Sequence, residues 1–281
     1  LVKRVINKNI YVVIFGGLGN QLFQAAFGYV ISHLSGADLN FIVDDYKGTS
    51  LSPYRLASFP NIRARVVPME DVDGSVTIHE QEARHLPPDQ VIAQIVDLLT
   101  KVDTVYLSGF WQNEGYFRPY KDILGNAFVP LIPDDVRARA DAMRLKGAIG
   151  VHLRRHGYGH MGLVKSGYYL QAVEAIRNEI GDAPILVCSD DPGFSYYTFR
   201  NTQNVEFSKG GASDTTLEDF EMLRACRHHV IANSTFSWWP AWLSESDGGI
   251  IYAPQPWIIP DPFTNPVPDR WRRIDGALLE G

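Results

Sequence analysis

The segment GVHLRR, residues 150–155, ends an apolar stretch with two arginines. A cation at the exit of a buried strand is costly without an anionic partner. A pyrophosphate is one such partner, because a guanidinium grips it through two parallel hydrogen bonds. A structural arginine–aspartate pair meets the same need, so both readings stand. Alternation along a strand puts His152 and Arg154 on one face and Leu153 and Arg155 on the other. Arg154 therefore leads as the phosphate cation and Arg155 supports it. In CSDD, residues 188–191, Asp190 and Asp191 follow a second apolar run. Carboxylates there can accept from a nucleobase or a ribose, or hold a metal, or simply form an Asx-turn. In ANSTFSWW, residues 232–239, Ser234 and Thr235 are both helix-cap types and phosphate ligands. Trp238 and Trp239 read as packing, and Pro240 as an early helical residue. In FGGLGNQ, residues 15–21, Gly17 and Gly19 allow a sharp turn with close ligand approach, and Asn20 and Gln21 offer amides at a helix start.

Alternating strands and helices must position these loops. IYVVIF, residues 10–15, reads as a buried strand, followed by a helix over 22–34. LNFIVDD, residues 39–45, is a second strand, the stretch 47–62 is turn-rich, and VYLSGFW, residues 105–111, is a strand entering a loop. After two prolines near residue 130, the series resumes. AIGVHLRR (148–155) and APILVCSDD are strands, YYLQAVEAI (168–176) is a helix, and another helix begins near Asp214 or Thr215. This is an α/β chain of two αβα halves with a cleft between them, broken between 130 and 146. We take 1–140 as the amino-terminal domain and 141–281 as the carboxyl-terminal one.

Composition narrows the function. With 281 residues, 45% hydrophobic and 21% charged, the chain can build real cores. A net charge of -6 gives no broad hold on nucleic acid. Cys188 and Cys226 read as buried thiols, and no Cys/His spacing fits zinc. The glycine loop lacks the lysine of a phosphate loop. A dinucleotide fingerprint would need glycine where Leu22 stands. Hydride transfer stays as the runner-up chemistry, since strand–glycine–helix units also bind dinucleotides. No secretory signal and no apolar run of ~18 residues stands out, which reads as a cytoplasmic enzyme. A peripheral place at the inner face of a membrane is compatible with this. Nothing in the sequence sets the oligomeric state.

Read in order, GGLGNQLFQ (16–24), SGFWQNEGYF (108–117), VHLRR (151–155), CSDD (188–191) and VIANSTFSWWPAWL (230–243) resemble the bacterial α-1,2-fucosyltransferases, glycosyltransferase family 11. The resemblance implies a GT-B fold, two Rossmann-like αβα domains facing across a cleft, acceptor side first and donor side second. It implies inverting transfer of L-fucose from GDP-fucose to the 2-hydroxyl of a galactose-containing glycan, with no cofactor and no essential metal. By resemblance, Arg154 holds the donor phosphates, and His152 and Asp190 belong to the nucleoside pocket. Ser234 and Thr235 lie beside the diphosphate, and Gly17, Gly19 and Asn20 form the amino-terminal lip. The family continues after its arginines with glycine, aspartate and an aromatic, whereas this chain has His156, Gly157 and Tyr158. His156 is the candidate base there, and a catalytically weak sugar-nucleotide- or carbohydrate-binding protein is the alternative.

Overall fold

A computed structural model of the chain describes residues 8–43, 53–68, 76–209, 214–246, 248–258 and 265–279. Asp44, Asp45 and the first part of the 47–62 stretch lie outside them. The chain divides into two compact units, Leu1–Val129 and Pro130–Gly281.

In the first unit the elements are β1 (Asn9–Val13), α1 (Leu18–Ser35), β2 (Asp38–Ile42), β3 (Arg65–Val67), β4 (Val76–His79), α2 (Glu80–Ala83), α3 (Pro88–Lys101), β5 (Thr104–Ser108) and α4 (Lys121–Ala127). The strands form one parallel sheet in the order β3-β2-β1-β5-β4. Its middle strand is the apolar run read from the sequence, with Ile10 and Val12 fully buried. The glycines after it divide their work. Gly16 takes φ 76°, a left-handed turn, and a Cβ there would lie 2.7 Å from the Asn20 amide. Gly17 is the N-cap of α1 and Gly19 already lies inside that helix. The helix therefore starts four residues earlier than the apolar spacing from Leu22 suggests.

The second unit runs α5 (Asp134–Leu145), β6 (Ile149–Leu153), β7 (Leu163–Val164), α6 (Ser166–Ile180), β8 (Ile185–Ser189), α7 (Pro192–Phe199), β9 (Val205–Phe207), α8 (Thr216–Arg224), β10 (His228–Val230), α9 (Thr235–Ser244), β11 (Ile251–Gln255), β12 (Arg272–Asp275) and β13 (Leu278–Leu279). A parallel sheet of order β12-β11-β10-β6-β8-β9 forms its centre, and β7 pairs with β13. A boundary at residue 140 would cut α5. That helix belongs to the second unit, because Val136, Ala140 and Met143 share a core with Leu186, Met222 and Cys226.

The strand β6 shows how both faces of this sheet are filled. Ile149, Val151 and Leu153 pack with Tyr169, Ala172 and Ile176 of α6. On the other face, a Cβ at Gly150 would stand 3.1 Å from Cys226 and 3.2 Å from Leu223, so glycine lets α8 approach the strand closely. Both cysteines are free and buried, as the sequence suggests. Trp238, Trp239 and Trp242 are fully buried, and Trp238 stacks on Trp242 at 5.7 Å. They are packing residues. Pro240 sits in the interior of α9, not at its start. Among the described residues no helix is long and apolar enough to cross a membrane.

Candidate functional site

In an open parallel sheet, ligands bind beyond the carboxyl ends of the strands, where the chain's progress across the sheet reverses. In the second unit the chain runs outward from β6 through β8 to β9, then returns to β10 on the other side of β6. The reversal point lies between β6 and β10. The loops after these two strands carry the VHLRR and NSTF motifs, and they are joined. The Tyr158 hydroxyl donates to Ser234 Oγ at 3.3 Å, and Asn233 Nδ2 donates to the Gly162 carbonyl at 3.0 Å.

Arg154 lies one residue beyond β6. Its guanidinium is 3.1 Å from Asp190 Oδ2 and stands 5.1 Å from the Tyr158 ring centroid. Arg154 Nε is buried without a hydrogen-bond partner. Asp190 arrives from the end of β8, the neighbour of β6. Its two oxygens also accept the backbone N–H groups of Arg155 at 2.9 Å and His156 at 3.1 Å. This carboxylate shapes the arginine loop, so the sequence assignment of Asp190 to a nucleoside pocket competes with a holding role seen directly in the contacts. Asp191 caps α7 by accepting from Phe194 N–H at 2.8 Å, which is the Asx-type reading. Arg155 turns away. It donates to the Val164 carbonyl and stacks 4.0 Å from the Phe194 centroid.

His152 is buried against Phe236, 5.0 Å between centroids. Burial, aided by the nearby Arg154 charge, pushes its pKa down to about 3, so the ring is neutral. Its Nδ1 has no partner, and neither has Asn233 Oδ1. Orphaned buried polar atoms are rare in native proteins and call for an explanation. Here three of them, on His152, Arg154 and Asn233, belong to residues at the ends of the two strands that flank the reversal. The first turn of α9 lies alongside, with Ser234 as its N-cap accepting from Phe236 N–H, followed by Thr235. Backbone N–H groups at a helix start favour an anion. His156 is exposed, with Nδ1 3.9 Å from Asp190 Oδ2.

The first unit has its own reversal, between β1 and β5. Gln112, beyond β5, donates through Nε2 to Asn20 Oδ1 at 3.0 Å, and the Phe15 and Phe110 rings pair at 4.7 Å. Gln21 is not a ligand amide. It donates to the carbonyls of Gly16 and Pro53 and accepts from Arg55 N–H, and it is fully buried. Among the described residues no cluster of three or more histidines, cysteines and carboxylates is placed to hold a metal.

The sequence profile of glycosyl transferase family 11 matches residues 81–265. The chain belongs to this family. As a family 11 glycosyltransferase it is 28% identical to an alpha-1,2-colitosyltransferase of Escherichia coli, over 92% of this chain and 97% of that protein. It is 25% identical to galactoside alpha-(1,2)-fucosyltransferase 2 of Mus musculus, over 83% of this chain and 67% of that protein. Among solved structures, POFUT1 in complex with GDP superposes with a TM-score of 0.51 at 13% identity, covering 88% of this chain and 98% of that one. The two αβα units of this chain have the GT-B type of fold.

The motifs of this glycosyltransferase thus sit at two sheet reversals, one in each unit. The residue types pointed to Arg154, Ser234, Thr235 and Asn20, and the family resemblance added His152. They gave no role to Tyr158, Asn233 or Gln112, whose partners lie 76, 71 and 92 positions away in the chain. The one available signal was that these residues fall within or beside the same motifs.

Proposed function

We propose that this glycosyltransferase is an inverting enzyme that moves L-fucose from GDP-fucose to the 2-hydroxyl of a galactose-type acceptor. The observation that carries the reading is the setting of Arg154. It stands at the reversal of the second sheet, is steered by Asp190 and keeps a buried, unpartnered Nε beside the start of α9. As the sugar–phosphate bond breaks, negative charge grows on the departing β-phosphate. A fixed guanidinium and helix N–H groups stabilise that charge more in the transition state than in the ground state. On this reading Arg154, Ser234 and Thr235 serve the diphosphate, neutral His152 lines the nucleoside side, and Gly17, Gly19 and Asn20 border the acceptor-side loop. His156 is the candidate base. The names of the curated relatives support both a 2-linked product and a galactoside acceptor.

No divalent ion is needed on this reading, because the two tandem aspartates are engaged elsewhere. Asp190 accepts two backbone N–H groups of the arginine loop and pairs with Arg154, and Asp191 caps a helix. The test is transfer to a galactoside panel from GDP-fucose and from GDP-colitose, whose sugar is L-fucose lacking the 3-hydroxyl, with EDTA present and product linkage read by NMR. Transfer from GDP-fucose in EDTA to the galactose 2-hydroxyl is the expected result. Activity that returns only with manganese, or a different linkage, refutes the corresponding part. GDP binding by calorimetry without transfer from either donor would favour a second reading, a donor-binding protein with weak turnover. What favours it is the replacement of the family's aspartate near Tyr158, whose hydroxyl here bonds Ser234.

A further inference from the structure

The loop after β5 places adjacent aromatic residues in opposite environments. Trp111 is fully buried and stacks on Phe27 at 4.1 Å, while Phe110 is 41% exposed. A single exposed phenylalanine needs no explanation by itself. This one is held in place by the backbone. Phe110 N–H donates to Glu80 Oε2 at 2.6 Å. Gly109 has φ 156°, and a Cβ there would come 2.3 Å from Glu80 Cβ. Trp111 adopts φ 57°, a left-handed conformation that is costly for a bulky residue and persists only where surrounding contacts impose it. The three constraints turn Trp111 into the core and leave Phe110 facing out. Phe110 is also at the carboxyl end of β5, beside the sheet reversal, and it pairs with Phe15 from the end of β1. Next to the pair, Gln112 Nε2 is fixed on Asn20 Oδ1, and Gln112 Oε1 has no partner among the described residues.

We propose that Phe110, backed by Phe15, is the platform on which a pyranose ring of the acceptor glycan stacks, and that Gln112 Oε1 accepts from a hydroxyl of that ring. The inference rests on the reading of the chain as a transferase with a glycan acceptor, and it names the acceptor-side site. One face of a galactopyranose carries a patch of C–H groups and its rim carries hydroxyls. An aromatic face beside an amide oxygen matches both parts.

The experiment measures saturation-transfer NMR binding of a panel of galactosides, glucosides and mannosides to the full chain without donor, together with GDP calorimetry and acceptor kinetics. Phe110→Ala is expected to weaken the glycan that the wild type binds, and to raise its KM, by about ten-fold, with GDP affinity and circular dichroism unchanged. Phe110→Trp should keep affinity, and Phe110→Leu, which is apolar but lacks an aromatic face, should behave like the alanine variant. Unchanged glycan affinity in Phe110→Ala overturns the proposal, as does a leucine variant equal to wild type. A wild type that binds no glycan overturns it as well. So does a Phe110-dependent change in self-association without a change in glycan binding. A bound sugar other than galactose, still lost in Phe110→Ala, upholds the platform and removes only the galactose assignment.

Discussion

At the residue scale, the main question is how one arginine is prepared to meet a diphosphate. Arg154 is not left to find its orientation, because the Asp190 oxygen 3.1 Å away fixes its outer nitrogen while Nε stays unpartnered. Replacing Arg154 with alanine should lower kcat by about two to three decades, some 3–4 kcal/mol, as for other lost charge-stabilising donors. Arg154→Lys should recover only part of that, because a lysine cannot make the forked contact. Saturating-substrate turnover in the two variants checks the order, and near-normal turnover in Arg154→Ala would remove the leaving-group role. Asp190→Asn separates two roles for that carboxylate. If Asp190 acts through Arg154, affinity for inorganic pyrophosphate and for GDP should fall by the same factor. If it touches the nucleoside, only GDP affinity should fall.

At the element scale, the close approach of α1 to its sheet depends on one glycine that the sequence presents as an ordinary helical residue. A Cβ at Gly28 would stand 2.5 Å from Val12 Cγ2 and 3.0 Å from Leu39 Cδ1. Gly28→Ala should therefore destabilise the fold by about 1–3 kcal/mol through overpacking, despite alanine's better helix propensity. Gly167, exposed in the first turn of α6, has nothing within 4 Å of the equivalent position. Gly167→Ala should be neutral or stabilise by up to about 1 kcal/mol. Urea midpoints, lowered in Gly28→Ala and unchanged or raised in Gly167→Ala, test this reading of the packing. The strands themselves were legible, since short β-branched apolar runs such as IYVVIF, ended by glycines, and ILVC, ended by polar residues, suit a sheet covered on both faces. Element ends were less so. β6 stops at Leu153, before both arginines, and the backbone N–H groups of Arg155 and His156 go to Asp190 in place of a neighbouring strand.

At the scale of the whole molecule, buried titratable groups set how stability follows pH. His152 and His229 have folded pKa values of about 3, in each case chiefly through burial. An unfolded histidine titrates near 6.5, so below that pH the unfolded chain binds protons that the folded chain refuses. Stability should fall as pH drops below about 6.5, each histidine costing about 2 kcal/mol by pH 5. Asp219 works the other way. Burial raises its pKa to about 6, offset by hydrogen bonds that include one from Thr215 at 3.0 Å. The folded chain takes up that proton first, which returns about 1 kcal/mol between pH 7 and 5. The net expectation is acid destabilisation in that window, steeper in Asp219→Asn. Urea unfolding at pH 7, 6 and 5 measures it, and a flat profile would contradict the buried, neutral state of both histidines.

The sequence by itself determined the α/β alternation, the buried strands, the loops that carry polar groups at their ends, and the family. Each of these is written in short-range pattern, such as an apolar run, a turn residue or a motif of fixed spacing. It did not determine which polar residues in those loops hold the structure together and which remain available. Gln21, Asp190 and Asp191 have the side chains of ligands, yet all three are engaged by N–H groups or carbonyls of the protein. Gln112 and Tyr158, which drew no attention as residue types, bridge loops that meet only because β5 returns beside β1 and β10 returns beside β6. Strand order is a non-local property, chosen by how helices cover two faces of a sheet. A hydrogen bond between residues dozens of positions apart exists only once that choice is made, so the tertiary structure decided it.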